Sequence, residues 1–158
     1  MPENTFKALV LTQEGKKTVA TIQQLALDDL PEGDVLVAVE YSSLNYKDGL
    51  AVTGKGKIVR QFPMVPGVDL AGTVLESSAP GYQVGDKVVL TGWSVGERYW
   101  GGYTQKARLQ SRWLVPLPDG MDTRTAMAIG TAGFTAMLCV MVLEEAGILP
   151  GGDKPILV

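Results

Sequence analysis

This 158-residue sequence predicts a mainly β fold, a barrel or sandwich of short strands followed by helices. Three features carry that expectation. From Phe6 to about Leu117, β-branched and apolar runs are short and are separated by glycine, proline and asparagine, the pattern of strands and turns. After Pro116 and Pro118 the runs lengthen and fill with methionine, leucine, alanine and valine, which reads as helix. Beyond the loop Gly151-Gly152-Asp153-Lys154-Pro155, the triplet Ile156-Leu157-Val158 looks like a buried parallel strand that has only begun, so a fragment is expected.

The elements follow in order. Strands are predicted over Lys7 to Leu11, Thr18 to Leu25, Asp34 to Ser42, Val68 to Glu76, Lys87 to Leu90 and Tyr103 to Arg108, with Trp113 to Val115 as a short extra. Within the third, Val35, Val37, Val39 and Tyr41 alternate onto one face, as a half-buried strand requires. Pro31-Glu32-Gly33-Asp34 makes the turn before it. One helix interrupts the strands. Ser43 or Asn45 serves as its N-cap, Asp48 falls in its first turn, where a carboxylate complements the helix dipole, and it ends near Gly54. Two further helices are expected, Asp122 to Ile129 and about Gly133 to Ala146, with Gly147 as the C′ residue of the second. The apolar stretch from Ala126 to Leu143, broken by Gly130, Thr131, Gly133 and Thr135, reads as a buried helix with a kinked entrance.

Composition removes several function classes. The 14 basic and 17 acidic residues give a formal net charge of -3 with neither sign in a block, so no nucleic-acid footprint is present. The first residues lack a basic start and a long apolar run, and no uncharged apolar stretch reaches about 18 residues, which makes a cytoplasmic location without membrane contact the expectation. There is no histidine, which excludes Ser-His-Asp and Cys-His catalysis and His-ligated zinc within this chain. The single cysteine, Cys139, excludes an internal disulfide and a four-cysteine zinc lobe, and its apolar neighbours suggest a small buried core residue.

Four segments carry chemistry by their order: Ser42-Ser43-Leu44-Asn45-Tyr46-Lys47-Asp48; Phe62-Pro63-Met64-Val65-Pro66-Gly67-Val68-Asp69-Leu70-Ala71-Gly72-Thr73-Val74; Gly85-Asp86-Lys87-Val88; and Gly130-Thr131-Ala132-Gly133-Phe134-Thr135-Ala136. The glycines around Val68-Asp69 allow positive φ or close backbone approach at a strand entrance, and Asp86 caps a turn through its side chain. Asn45 and Tyr46 lie at a strand-to-helix corner, where an amide and a phenol can orient a carbonyl or ring, and a phenol can give a proton. The bland alternative is that Asn45 only caps the helix and Tyr46 packs beneath it. Gly130-Thr131-Ala132-Gly133 reads first as a close-packed helix junction. Thr91 to Tyr103, rich in glycine and aromatics, reads equally as a wall over a cleft or a lid on the barrel end. Lys55, Lys57 and Arg60 read first as a solvated loop and otherwise as a phosphate contact.

Together the four segments resemble the N-terminal part of the medium-chain dehydrogenase/reductases, most closely the zinc-independent quinone oxidoreductase-like subgroup that includes NADPH-dependent acrylyl-CoA reductases. The resemblance covers nearly the whole chain. It implies a GroES-like catalytic domain over residues 1–120, connecting helices over 121–154, and the first strand of a truncated Rossmann domain at 155–158. It also implies NADP as cofactor and hydride transfer to an activated double bond, in an acrylyl-CoA-like enoyl thioester or a quinone-like acceptor, with the phosphates of NADP or coenzyme A as what Lys55, Lys57 and Arg60 could meet. Zinc-dependent relatives carry His-Glu where this chain has Val68-Asp69, and a cysteine where it has Asn45, so no metal is expected. The resemblance places Asn45, Tyr46 and Thr131 beside the nicotinamide, with Thr135 one turn after Thr131. A small-molecule substrate and a homo-oligomer are expected. A non-enzymatic GroES-like binding or assembly module is the competing reading.

Overall fold

The computed structural model describes residues 5–152. Strands β1 (Thr5–Glu14) and β2 (Lys17–Ala26) form an antiparallel hairpin. A five-stranded antiparallel sheet contains β3 (Val35–Tyr41), β4 (Asp69–Ser77), β5 (Lys87–Thr91), β6 (Lys106–Leu109) and β7 (Val115–Pro116) in the order β6-β3-β4-β5-β7. The hairpin is fastened to the rest by main-chain bonds from Leu9 N to Tyr103 O (2.9 Å), Gln105 N to Lys7 O (2.9 Å) and Leu11 N to Met64 O (2.7 Å). These bonds hold the hairpin over one face of the sheet, where Phe6, Ala8 and Val10 pack with Leu36. Helix α1 (Tyr46–Thr53) fills the connection between β3 and β4, and α2 (Thr123–Glu145) follows the last strand.

The expected elements all form within the described residues, and their departures have local causes. β3 is buried on both faces near its start: Val35 and Val37 enter one core with Leu70, Val74, Val88 and Leu90, while Leu36 enters another with Phe6, Val10 and Val65. It is flanked by β4 and β6, and the hairpin covers its second face, so strict alternation fades, while Tyr41 at its end is exposed. Trp113 belongs to a 3₁₀ turn, Ser111–Trp113, and the last strand begins at Val115. β6 starts only at Lys106 because Tyr103 and Gln105 pair with the hairpin instead. Gly72 of β4 lies so close to the carbonyl of Ala38 on β3 that a Cβ there would collide with it. Ile156-Leu157-Val158 lies outside the described residues.

Asp122 caps α2, accepting from Thr125 N at 2.6 Å, and Gly147 follows its C-cap residue. The two expected helices are one element with a kink at Gly130. Its first turns bury Ala126 and Met127 against Ala71 of β4. The remainder corrects two expectations. Phe134, Met137, Leu138, Met141 and Val142 are exposed, and so is Cys139, because no described element packs on that length of helix. By length and hydropathy α2 is also sufficient to cross a membrane, with 17% of its apolar window buried; its glycines and threonines do not lower the mean hydropathy below that mark.

One carboxylate ties α2 to the sheet. Glu40 of β3 accepts from Lys87 Nζ of β5 (2.6 Å), Thr123 Oγ1 of α2 (2.6 Å) and Thr73 Oγ1 of β4. Burial opposes its charge, but these donors outweigh burial and hold its pKa down at about 2 from 4.5. The folded state therefore binds the anion more favourably than the unfolded chain does. That contribution is complete above pH 4.5 and is lost as the pH falls toward about 2. Glu40→Gln should lower the urea midpoint at pH 7, and its deficit against the parent should shrink at pH 3. An equal deficit at both pH values would show that the anion is not what stabilises this junction.

Candidate functional site

The site is built where the β3–α1 corner meets the start of β4 and the kink of α2. Asp69, the first residue of β4, has no solvent exposure. Burying a carboxylate costs several kcal/mol unless donors converge on it. Here they do. Asp69 accepts from Ser43 N (3.2 Å), from Ser43 Oγ (2.7 Å to Oδ1) and from Thr131 N (2.9 Å to Oδ2). The Asn45 amide donates to Ser43 Oγ at 2.9 Å and approaches Asp69 Oδ2 at 3.5 Å. Ser42 Oγ donates to the Asp69 carbonyl at 2.8 Å.

Asp48, 1% exposed, is the second buried carboxylate. It accepts from Asn45 N (2.9 Å), closing the first turn of α1, and from Val68 N (3.1 Å), fixing the entrance to β4. First-turn acids on surface helices face solvent, and this one holds two segments together. Tyr103 donates to the Ser43 carbonyl at 3.1 Å. Burial first, then the nearby charge of Asp48, a hydrogen bond with it and the charge of Asp69, push the Tyr103 phenol well above its usual range, so it remains a donor.

Above this network lies a cavity of about 120 Å³ lined by Asn45, Val68, Val95 and Thr131, with Ser94 and Glu97 at its rim. Lys47 closes one side through an ion pair with Glu97 (2.6 Å). The wall is the glycine- and aromatic-rich loop, in which Trp93 (φ 52) and Ser94 (φ 61) both take the left-handed conformation, a strain on the order of 1–3 kcal/mol each. Farther along, the loop covers the barrel: Tyr99 packs on Trp113 with centroids 4.8 Å apart, and Trp100 donates to Pro63 O at 3.2 Å. Both readings of the loop hold, each for a different half.

Thr131 supplies the cavity's one irregularity. Its Oγ1 is buried and has no hydrogen-bond partner among the described residues, although its main-chain N–H bonds to Asp69. Thr135 Oγ1 donates to the Thr131 carbonyl at 2.8 Å and turns away from the cavity. Asn45 and Thr131 are therefore brought together. Tyr46 does not line this cavity: it is 85% exposed and lines a depression on the outer face of α1 that Asn45 also borders, so it does not pack beneath the helix. Asp86 caps its turn as expected, accepting from Gln83 N at 2.9 Å. The structural weight of Asp48 and Asp69 was missed in sequence. A clue was available for Asp69, an acid set between Val68 and the apolar pair Leu70-Ala71 with no basic residue beside it; Asp48 follows Lys47 and reads as an ordinary first-turn acid.

The chain is thus a β domain fastened to a hairpin, with a small cavity at the β3–α1 corner. Residues 31–119 match the family of the alcohol dehydrogenase GroES-like domain, and the chain belongs to that family. It is 61% identical over 155 residues to the acrylyl-CoA reductase AcuI of Ruegeria pomeroyi, covering 97% of this chain and 47% of that protein. It is 41% identical to the putative quinone oxidoreductase YhfP of Bacillus subtilis, covering 92% of this chain and 44% of the relative. Among solved structures, the YhdH oxidoreductase of Salmonella enterica in complex with NADP aligns with a TM-score of 0.89 at 60% identity, covering 91% of this chain and 44% of that one. The resemblance read from the four motifs is borne out. The chain spans about half the length of the curated relatives it matches.

The kink is the point on which the cavity turns. Gly130 has φ 51 and ψ -164, a conformation open in practice to glycine alone, and a Cβ there would stand 3.0 Å from Ser43 Oγ and 3.1 Å from Asp69 Oδ2. Gly130→Ala should destabilise the chain by about 2 kcal/mol, read as a lowered urea midpoint. A variant as stable as the parent would show that the kink is not held by this contact.

Proposed function

We propose that this chain is the substrate-side domain of an NADPH-dependent oxidoreductase that reduces an activated double bond, in an enoyl thioester of the acrylyl-CoA type. The observation that carries the reading is the partnerless Thr131 hydroxyl beside the Asn45 amide in a cavity with apolar walls. A buried unsatisfied hydroxyl costs on the order of 1–3 kcal/mol, so its retention calls for a ligand that satisfies it. The donor set fits the nicotinamide end of a cofactor: a hydroxyl and an amide for its carboxamide, and Val68 and Val95 for its ring. The NADP in the Salmonella structure and the likeness to the acrylyl-CoA reductase of Ruegeria pomeroyi support the same reading.

NADPH, when bound, supplies the hydride that adds to the β-carbon of the double bond. The chain's part is to hold and orient. Thr131 and Asn45 fix the ring end, Asp69 fixes both of them through Ser43 and the Thr131 N–H, and the strained Ser94 loop keeps water from one side. The negative charge that develops on the thioester oxygen is stabilised by hydrogen-bond donors, and the α-carbon takes its proton from water or from the Tyr46 phenol. No step runs through zinc, because Val68 and Asn45 cannot replace imidazole and thiolate. On this reading residues 1–120 form the catalytic domain, 121–154 the connection and 155–158 the start of a nucleotide-binding domain. The enzyme is a cytoplasmic homo-oligomer.

Thr131→Val keeps the side-chain shape and removes the orphan oxygen. In the protein that carries this chain, stability should be unchanged or higher, while NADPH affinity falls by about two- to tenfold, the worth of one neutral hydrogen bond. Titration of NADPH fluorescence measures this, and an unaltered affinity with raised stability would leave the hydroxyl a packing defect. Tyr46→Phe, at so exposed a position, should leave the thermal midpoint in place, and where the phenol rather than water gives the proton, turnover of acrylyl-CoA falls by at least about tenfold. Undiminished turnover would assign the proton to water.

A further inference from the structure

The face of the molecule at the far end of α1 carries a second hollow, of about 480 Å³, walled by the tip of the β1–β2 hairpin and the segment after α1. Lys16, Lys57 and Arg60 all line it, with Gln13 and Thr18, and no acidic residue does. In a chain of net charge -3 this is an unusual grouping. Elsewhere, lysines of this domain find carboxylates, as Lys47 does with Glu97 and Lys87 with Glu40. None of these three cationic side chains makes an ion pair or hydrogen bond among the described residues. Their convergence is a product of the fold: the hairpin tip and the loop are some forty residues apart, and Gly54, closing α1, sets them together by lying against Thr18.

We propose that this hollow binds the phosphates of a phosphorylated adenosine, and that the ligand is the coenzyme A moiety of the substrate. The general chemistry is that of ammonium and guanidinium donors around a phosphomonoester, with Arg60 able to engage two oxygens at once. The choice of coenzyme A rests on the enoyl thioester reading above and on position. α1 is eight residues long, so about 12 Å of helix separates the Asn45 corner from Gly54. An extended pantetheine arm exceeds that span. A groove for it is present: Tyr46, Gly49, Leu50 and Thr53 lie on one face of α1 and line a depression that runs from Asn45 to Lys55. Lys55 borders this depression while Gly54 and Gly56 border the cationic hollow, so the two meet at the end of the helix. Lys55, Lys57 and Arg60 thus separate into two roles that their adjacency in sequence conceals.

The test uses the intact protein that carries this chain, with adenosine 3′,5′-bisphosphate, coenzyme A, dephospho-coenzyme A and NADPH as calorimetric probes. The bisphosphate and coenzyme A should bind, and dephospho-coenzyme A should bind about tenfold more weakly, since one charge-assisted contact is worth that much. The double variant Lys57→Gln/Arg60→Gln should lose about tenfold or more in affinity for the first two probes, with the loss growing at low salt. These side chains are exposed, so the variant's thermal midpoint reports folding independently. Equal affinity for coenzyme A in parent and variant overturns the proposal, and a loss that falls on NADPH instead assigns the hollow to the cofactor and overturns it too. Reduction of acrylyl-CoA with the same KM in both proteins would sink the site while leaving the proposed activity standing. Binding that depends on Lys57 and Arg60 in a protein without acrylyl-CoA reduction would uphold the site and sink the activity.

Discussion

The rest of this structure depends on a carboxylate with no exposure and, among the described residues, no cationic partner. Asp69 is satisfied by donors from three separate places: the serine corner after β3, the Asn45 amide through that corner, and the first N–H beyond the kink in α2. Each bond to a charged acceptor contributes on the order of 1.5–3 kcal/mol, comparable to the cost of burying the group, so the set is stable only when complete. That makes the junction specific. β4 cannot shift register, nor can α2 slide along the sheet, without leaving Asp69 unpaired. The conformation of Gly130 is a consequence, since the helix must break there to present the Thr131 N–H.

The same corner bears on the expected absence of a metal: among the described residues no cluster of three or more His, Cys, Asp or Glu side chains could hold one. The related zinc enzymes carry a cysteine where Asn45 stands and His-Glu where Val68-Asp69 stands. Here the acid is kept and the two metal-binding side chains are exchanged for an amide that donates and a valine that does not. The resulting geometry is held by hydrogen bonds alone. Among the described residues it leaves the Thr131 hydroxyl unpaired, on a residue that lines the cavity.

How much of this was legible in the sequence follows from what each signal reports. Strand positions and the start of each helix were readable because turn glycines, prolines and caps act locally: Asp122, Gly147 and Asp86 behave as their neighbours suggest. Burial was less readable, because it depends on what lies across the chain. Leu36 points to the face that alternation leaves to solvent, and the hairpin arriving from thirty residues away covers it. The site was half readable. Asn45 and Thr131 meet, but the direction of Tyr46, one helical step on, is set by the rotation of α1, which Asp48 fixes from inside.

Helix α2 joins these points. Its first turns are packed on Ala71 and pinned through Thr123 to Glu40, and its kink is pinned through Thr131 to Asp69. Beyond Gly133 it presents phenylalanine, methionine, leucine and valine without a described neighbour. A segment so apolar in sequence reads as buried, and a contiguous exposed patch of this kind marks a surface made to be covered. The orphan hydroxyl and the uncovered face lie on the same element, one turn apart. On the proposed reading, a nucleotide-binding domain that packs on α2 after the kink is brought to the mouth of the cavity by the same contact, and ligand sites form at such junctions between domains because neither half alone can surround a ligand.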